Sequence, residues 1–129
     1  MHRSHLDVGR QGEDAAVRWL EERGWSVHAR GTRIAGVEID VLATDHASRA
    51  LVVVEVKSRR ARRPGSPDSV RPEENVNRQK LVRLARAAHS LEPGARQMGC
   101  SVRVDVLAVR IGASGAGATG IEHFRDATG

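Results

Sequence analysis

Four consecutive aliphatic residues, Leu51-Val52-Val53-Val54, run directly into the charged sequence Glu55-Val56-Lys57. A stretch that is apolar at every position, rather than at every second one, suits a strand covered on both faces. Such a strand needs helices above and below it, which makes the chain an α/β domain from the outset. The rest of the sequence supplies the covering pieces. Gly9 to Arg23 predicts a helix with Ala16, Trp19 and Leu20 on one face, ended by Gly24. Trp25 to Arg30 alternates as a half-buried strand, Gly31 to Gly36 reads as a loop, and Val37 to Thr44 as a second strand. After a polar turn, Asp45 to Ala50, the central strand runs from Leu51 to Lys57.

Ser58 to Pro72 holds five arginines together with Pro64, Gly65, Pro67 and Pro72, the composition of a basic surface loop. Glu73 to Leu91 predicts a second helix, with Leu81, Leu84, Ala85, Ala88 and Leu91 buried and Pro93-Gly94 as its stop. Val102 to Ile111 is a further strand, Gly112 to Gly120 a Gly-rich linker, and Ile121 to Arg125 a short edge strand. The order is α-β-β-β-α-β. It implies a central mixed sheet flanked by helices, in one domain over residues 1–129 with its core at about 9–111 and the linker and edge strand at 112–125.

The chain has 129 residues, enough for a core without disulfides or structural metal, and Cys100 is its one cysteine. With no disulfide framework possible within the chain, and no apolar h-region in Met1 to Arg10, a reducing cytoplasm is the expected setting. No apolar run approaches the ~20 residues of a membrane span. Lys plus Arg number 21 against 16 Asp plus Glu, a net charge of +5 that favours a polyanionic partner. Trp19, Trp25 and Phe124 are the whole aromatic complement, too few for a surface that stacks single-stranded bases. Duplex or branched nucleic acid is therefore the better expectation. Nineteen of the 21 basic residues are arginine; Lys57 and Lys80 alone are lysine, which hints that arginine will not serve there.

The acids inside strands carry the chemistry. Residues two apart share a strand face, so Glu38 and Asp40 face together, as do Glu55 and Lys57. If the two strands form an antiparallel hairpin turning near Ala47 and Ser48, Asp40 comes close to Glu55. Paired carboxylates are costly beside apolar residues unless a cation joins them. Hard divalent ions such as Mg²⁺ take such oxygen ligands, with the carbonyl of Val56 as a third. A bound ion would activate water against a phosphodiester, and Lys57 would orient that water or offset developing charge. Solvated Glu-Lys pairing on an exposed strand is the plainer alternative for Glu55 and Lys57.

Five segments, taken together, resemble a known family. They are Gly12-Glu13; Glu38-Ile39-Asp40-Val41-Leu42; Val53-Val54-Glu55-Val56-Lys57-Ser58-Arg59; Lys80 in the second helix; and Arg103 to Val109. Their order and spacing resemble the YraN family of small bacterial proteins, over roughly residues 9–111. That family is in turn similar to Holliday-junction resolvases and to the wider restriction-endonuclease-like nucleases, whose signature is an Asp followed by Glu/Asp-X-Lys. The resemblance implies a restriction-endonuclease-like three-layer fold. It implies Asp40 and Glu55 as metal ligands, Lys57 as the catalytic lysine and Glu13 as the helix glutamate completing the site. Glu38 and Gln79 would be accessory residues, Glu38 either assisting the site or contacting Arg33. Apart from the resemblance, Arg59, Arg60, Arg62 and Arg63 follow the site directly and could track phosphates, the alternative being a solubilising charged loop. Gln79 and Lys80 could reach the site from the second helix, with Lys80 meeting the nucleic acid, or form an ordinary helix N-terminal face. Two departures bear on substrate: Val37 stands where the family has glycine, and Arg62-Arg63-Pro64-Gly65 replaces an aromatic-glycine step.

The expected function is a Mg²⁺- or Mn²⁺-dependent endonuclease on structured DNA, acting as a homodimer if junctions are its substrate. A non-catalytic nucleic-acid-binding protein with the same fold is the first alternative. A protein-interaction module docking a basic partner is the second. Asp105 is read as structural, pairing an arginine, and Cys100 as a small buried residue. The six histidines show no metal-ligand spacing.

Overall fold

The computed structural model describes residues 5–60, 78–112 and 118–128. Its elements are α1 (His5–Glu22), β1 (Ser26–Ile34), β2 (Val37–Asp45), β3 (Ala50–Arg60), α2 (Arg78–Gln97), β4 (Ser101–Ile111) and β5 (Ala118–Phe124). The five strands form one sheet in the order β1-β2-β3-β4-β5. Only β3 and β4 pair in parallel; the other three pairings are antiparallel. A parallel pair requires a crossover, and α2 lies within the one joining β3 to β4.

β3 is central, and its apolar run is covered on both sides. Val52 and Val54 pack with Ala16 and Leu20 of α1, whereas Val53 packs with Leu84, Ala87 and Ala88 of α2. The helices therefore lie on opposite faces of a mixed sheet, the α/β arrangement and element order read from the sequence. The β3–β4 register runs unbroken from Ala50↔Ser101 to Arg60↔Ile111, so side chains along β3 alternate without a slip. No helix among the described residues is long and apolar enough to cross a membrane.

Several boundaries differ from the sequence reading. α1 begins at His5 rather than Gly9. β1 continues through Gly31 to Ile34, so the expected loop of Gly31 to Gly36 shrinks to Ala35-Gly36. Both turn residues have positive φ, 51° and 77°, the backbone twist of a two-residue hairpin turn. α2 runs through Pro93 to Gln97. Pro93 and Gly94 are exposed, but the helix is held beyond them by Ala95, which is buried. The true stop is Gly99, with φ of 75°. The N–H of Cys100 donates to Ala95 O (2.8 Å) and that of Gly99 to Arg96 O (3.0 Å), the paired bonds of a left-handed helix end. α1 ends the same way at Gly24, where the sequence placed it. β5 starts at Ala118, three residues before Ile121, and ends at Phe124. Cys100 is half-buried rather than buried. The basic loop beyond Arg60, the expected helix start at Glu73 and most of the Gly-rich linker lie outside the described residues.

A charged network ties β4 and β5 to the β2–β3 turn. Asp105 is fully buried in β4. Its carboxylate accepts from Arg103 Nε (2.9 Å) and Nη2 (3.0 Å), from His123 Nε2 (2.7 Å) and from the backbone N–H of Asp126 (3.0 Å). Arg103 also donates to Asp45 and to Ser48 in the β2–β3 turn. Trp19 and Trp25 set their ring planes edgewise to His123. Burial alone would raise the Asp105 pKa, but the His123, Arg103 and Asp126 hydrogen bonds outweigh it and hold the carboxyl below its ordinary 3.8. An aspartate lowered in this way stabilises the fold fully above its ordinary pKa, and the contribution disappears as pH falls through the native value.

Asp105→Asn removes one of the two anions of Arg103, leaving it Asp45, and the charged partner of His123. It is expected to lower unfolding stability by about 1–3 kcal/mol at pH 7. Urea melts between pH 7 and pH 3 should show the deficit narrowing at the acid end; a constant deficit would contradict the charge account.

Candidate functional site

The β2–β3 pairing runs from Asp45↔Ala50 to Val41↔Val54, and the next rung would set Asp40 opposite Glu55. That backbone rung is missing. In its place Asp40 Oδ2 accepts the N–H of Val56 at 2.8 Å. Alternation in β2 also breaks here. Val37 and Ile39 join the cluster under α2, whereas Val41 and Ala43 join the one under α1. Asp40 sits at the switch, where β2 separates from β3 and a carboxylate can reach into the sheet.

Glu55 lies on the α2 side, opposite in sense to Val54 and Val56, and its side chain is 3% exposed. Oε2 forms an ion pair with Lys80 Nζ from the first turn of α2. Oε1 is buried and has no hydrogen-bond partner. Burial, then the nearby Asp40 charge, push the Glu55 carboxyl up to about 7, against the lowering pull of Lys80. Burial would lower Lys80, but its attraction to Glu55 and Asp40 prevails and holds the ammonium above its ordinary value. Lys57 shares the Glu55 face by strand alternation, is half-buried, and makes no hydrogen bond or ion pair among the described residues. Arg59 is half-buried and Arg60 exposed at the end of β3, while Arg62 and Arg63 lie outside the described residues.

On the α1 side, a cleft of about 660 Å³ opens onto Asp40 and is lined by Arg10, Glu13, Asp14, Arg30, Val56 and Ser58 among others. Glu13 accepts from Arg30 Nε at 3.1 Å, and Asp14 pairs with the same guanidinium. Glu13 is thus beside Asp40 in the cleft but engaged by Arg30. No three His, Cys, Asp or Glu side chains among the described residues form a metal-ligand group. The acidic site is a pair, Asp40 and Glu55, with Glu13 to one side. Glu38 is exposed and opposite Arg33 in the β1–β2 register; Arg33 Nη1 donates to Gly36 O rather than to Glu38. Gln79 is exposed on α2.

One feature escapes a reading of the sequence. Arg30 is there only an outward strand position, yet the β1–β2 register sets it beside Val41, within reach of α1 acids. Lys80 does reach the site from the second helix, and the docking of α2 gives it Glu55, 25 residues away, as partner. Gly12 belongs to the motif, and its role is physical. A Cβ there would fall 1.7 Å from Ser58 Oγ and 2.7 Å from Ser58 Cβ. This contact brings the α1 backbone onto β3 just past Lys57 and sets Glu13 at the cleft.

Gly12→Ala is expected to cost about 1–3 kcal/mol in chemical unfolding, as overpacking does. Gly12→Ala/Ser58→Gly should recover most of it, whereas Gly12→Ala/Ser58→Ala should not, because Cβ remains. For Glu55, a native pKa above the ordinary 4.5 means stability is lost as pH rises from there through 7. Without metal, Glu55→Gln should exceed wild type by about 3 kcal/mol at pH 8 and converge with it as pH falls toward 4. Equal stabilities at pH 8 would show that the ionised carboxylate bears no burial cost.

The family model described as Uncharacterised protein family UPF0102 matches residues 12–109. A UPF0102 protein from Mycobacterium sp. (strain KMS) is 41% identical over 105 residues, covering 81% of this chain and 74% of that protein. One from Bacteroides thetaiotaomicron is 35% identical over 123 residues, covering 95% of this chain and 93% of the other. Among solved structures, SfsA from Pyrococcus furiosus in complex with Ca²⁺ aligns with a TM-score of 0.34 and 17% identity, covering 93% of this chain and 64% of that one. The matched region spans every segment on which the YraN resemblance rests, and the chain belongs to the UPF0102 family.

Proposed function

We propose that this chain is a metal-dependent endonuclease of restriction-endonuclease-like fold that hydrolyses phosphodiesters in duplex or branched DNA in the cytoplasm. The observation that carries this reading is Glu55: a carboxylate 3% exposed, beside a second carboxylate, with one oxygen buried and unpartnered. A purely structural acid at this depth would have its oxygens satisfied, as Asp105 does. The donors fit a hard divalent cation. Asp40 and Glu55 would hold Mg²⁺ or Mn²⁺, with the Val56 carbonyl as a further oxygen. The ion would supply an activated water and stabilise charge on the phosphoryl oxygens.

The chain's own groups do the rest. Lys57, on the Glu55 face, would orient the attacking water or meet the developing phosphorane charge. Arg59 and Arg60, followed in sequence by Arg62 and Arg63, would track phosphates leading away from the site. Glu13 would complete the acidic side once Arg30 turns to a phosphate. Glu38 and Gln79 would be accessory at the rim. A junction substrate would require two such sites, hence a homodimer.

One observation favours a non-catalytic DNA-binding reading instead. Lys80 already pairs with Glu55, and Arg30 with Glu13 and Asp14, so these acids have counter-charges without metal. The test is cleavage of labelled four-way junction, flap, duplex and single-stranded DNA with Mg²⁺, Mn²⁺ or EDTA. Metal-dependent cutting of junction, flap or duplex is expected. Asp40→Asn, which keeps an acceptor for Val56 N–H, and Lys57→Ala should each reduce it by about 10²–10³-fold. Salt-sensitive DNA binding without cutting would transfer the assignment to the binding reading. Absence of both would leave a protein-interaction module.

A further inference from the structure

We infer that Lys80 is a resident cation that occupies the charge position of the divalent ion at Glu55 and must be displaced before metal binds. This rests on the metal-site reading above. The two partners of the ion pair are unequal. Glu55 is 3% exposed and fixed on β3, where the β3–β4 register pairs it with Val106. Lys80 is 47% exposed and is the third residue of α2. Its flexible four-carbon stem can swing its ammonium out into solvent, where the carboxylate cannot follow. The movable member of the pair is the lysine.

Charge and coordination both favour exchange. Asp40 and Glu55 together carry two negative charges when ionised, and the Lys80 ammonium returns one. It bonds Oε2 and leaves Oε1 buried without a partner. A divalent cation balances both carboxylates and can take the second oxygen. Lysine suits the holding role because its ammonium is a compact point charge; an arginine fork would engage a carboxylate through two bonds and release it less readily. Lys80 thus keeps the metal-free pocket assembled, limits repulsion of a phosphate backbone before metal arrives, and sets the metal concentration at which the site loads. Once displaced, its ammonium is available on the same side of the sheet as Lys57.

The test is Mn²⁺ binding to the whole chain, without DNA. It is followed by the electron paramagnetic resonance signal of free Mn²⁺ and by calorimetry, with metal-free thermal melts alongside. Lys80→Met should bind Mn²⁺ about 5- to 10-fold more tightly than wild type. Its metal-free melting temperature should fall and be restored by Mn²⁺. Lys80→Gln, which keeps a hydrogen-bond donor, should behave alike if the methionine variant fails to fold. Glu55→Gln should lose the binding, which locates it. If wild type binds Mn²⁺ through Glu55 and neither Lys80 variant binds more tightly, the resident-cation inference is overturned and the metal site stands. If folded wild type and folded Lys80 variants all fail to bind Mn²⁺, the metal-site reading falls and this inference with it.

Discussion

The hydrogen bond from the Val56 N–H to the Asp40 carboxylate is the joint on which the rest of the site depends. Where β2 should offer a backbone carbonyl to the Val56 N–H, it offers a side chain. The substitution keeps the half-buried Val56 donor satisfied while freeing the β2 backbone to part from β3. The parting opens the cleft toward α1 and lets Val37 and Ile39 pack toward α2. It also holds an anion beside Glu55 that a backbone carbonyl would not supply. A single local exchange therefore produces the fork in the sheet, the access to it and the electrostatic stress within it.

That stress is legible by contrast with Asp105, which the β3–β4 register sets opposite Val54, one residue along from Glu55. Asp105 and Glu55 are buried to nearly the same degree, 0% and 3% exposed, on adjacent central strands. Their pKa values move in opposite directions. The difference lies in their neighbours. Asp105 receives four hydrogen bonds, from Arg103, His123 and the Asp126 backbone, and these exceed its burial cost. Glu55 receives Lys80, faces Asp40 and keeps an unpartnered oxygen. One carboxylate is a tie between β4, β5 and the β2–β3 turn. The other is a group whose surroundings leave it short of positive charge, the condition expected where a ligand completes the set.

Much of this follows from the primary structure, and the exceptions have physical reasons. The run Leu51 to Val54 shows a doubly covered strand because burial on both faces removes any alternation. Glu55 after such a run marks a costly position regardless of fold. The short connection fixes the hairpin register, so the approach of Asp40 to Glu55 is computable from residue numbers. Pro93 misleads because proline's penalty is local, whereas the anchorage of Ala95 in the α2 cover is tertiary. Ala35-Gly36 hides as a turn because alanine seldom adopts positive φ, and only the pairing of β1 with β2 imposes it. The break in β2 alternation is invisible because Ile39 and Val41 are both apolar and each finds a core, though not the same one. Docking angles decide the partners of Arg30 and Lys80, and no spacing rule contains them.

The use of lysine brings these threads together. In a chain with nineteen arginines, both lysines share the Glu55 side of the sheet: Lys80 pairs with its carboxylate, and Lys57 lies two residues along the strand. A compositional drift toward arginine would leave lysine at random positions, but these two are 23 residues apart in sequence and lie on one side of the sheet. Arginine is a planar fork that grips carboxylate or phosphate through two directed bonds, which suits the permanent Arg103–Asp105 tie. An ammonium is smaller, bonds in any direction and changes partners at low cost. Where the structure needs permanence it uses arginine. At its one under-compensated buried acid among the described residues it uses lysine, which can approach, neutralise and withdraw.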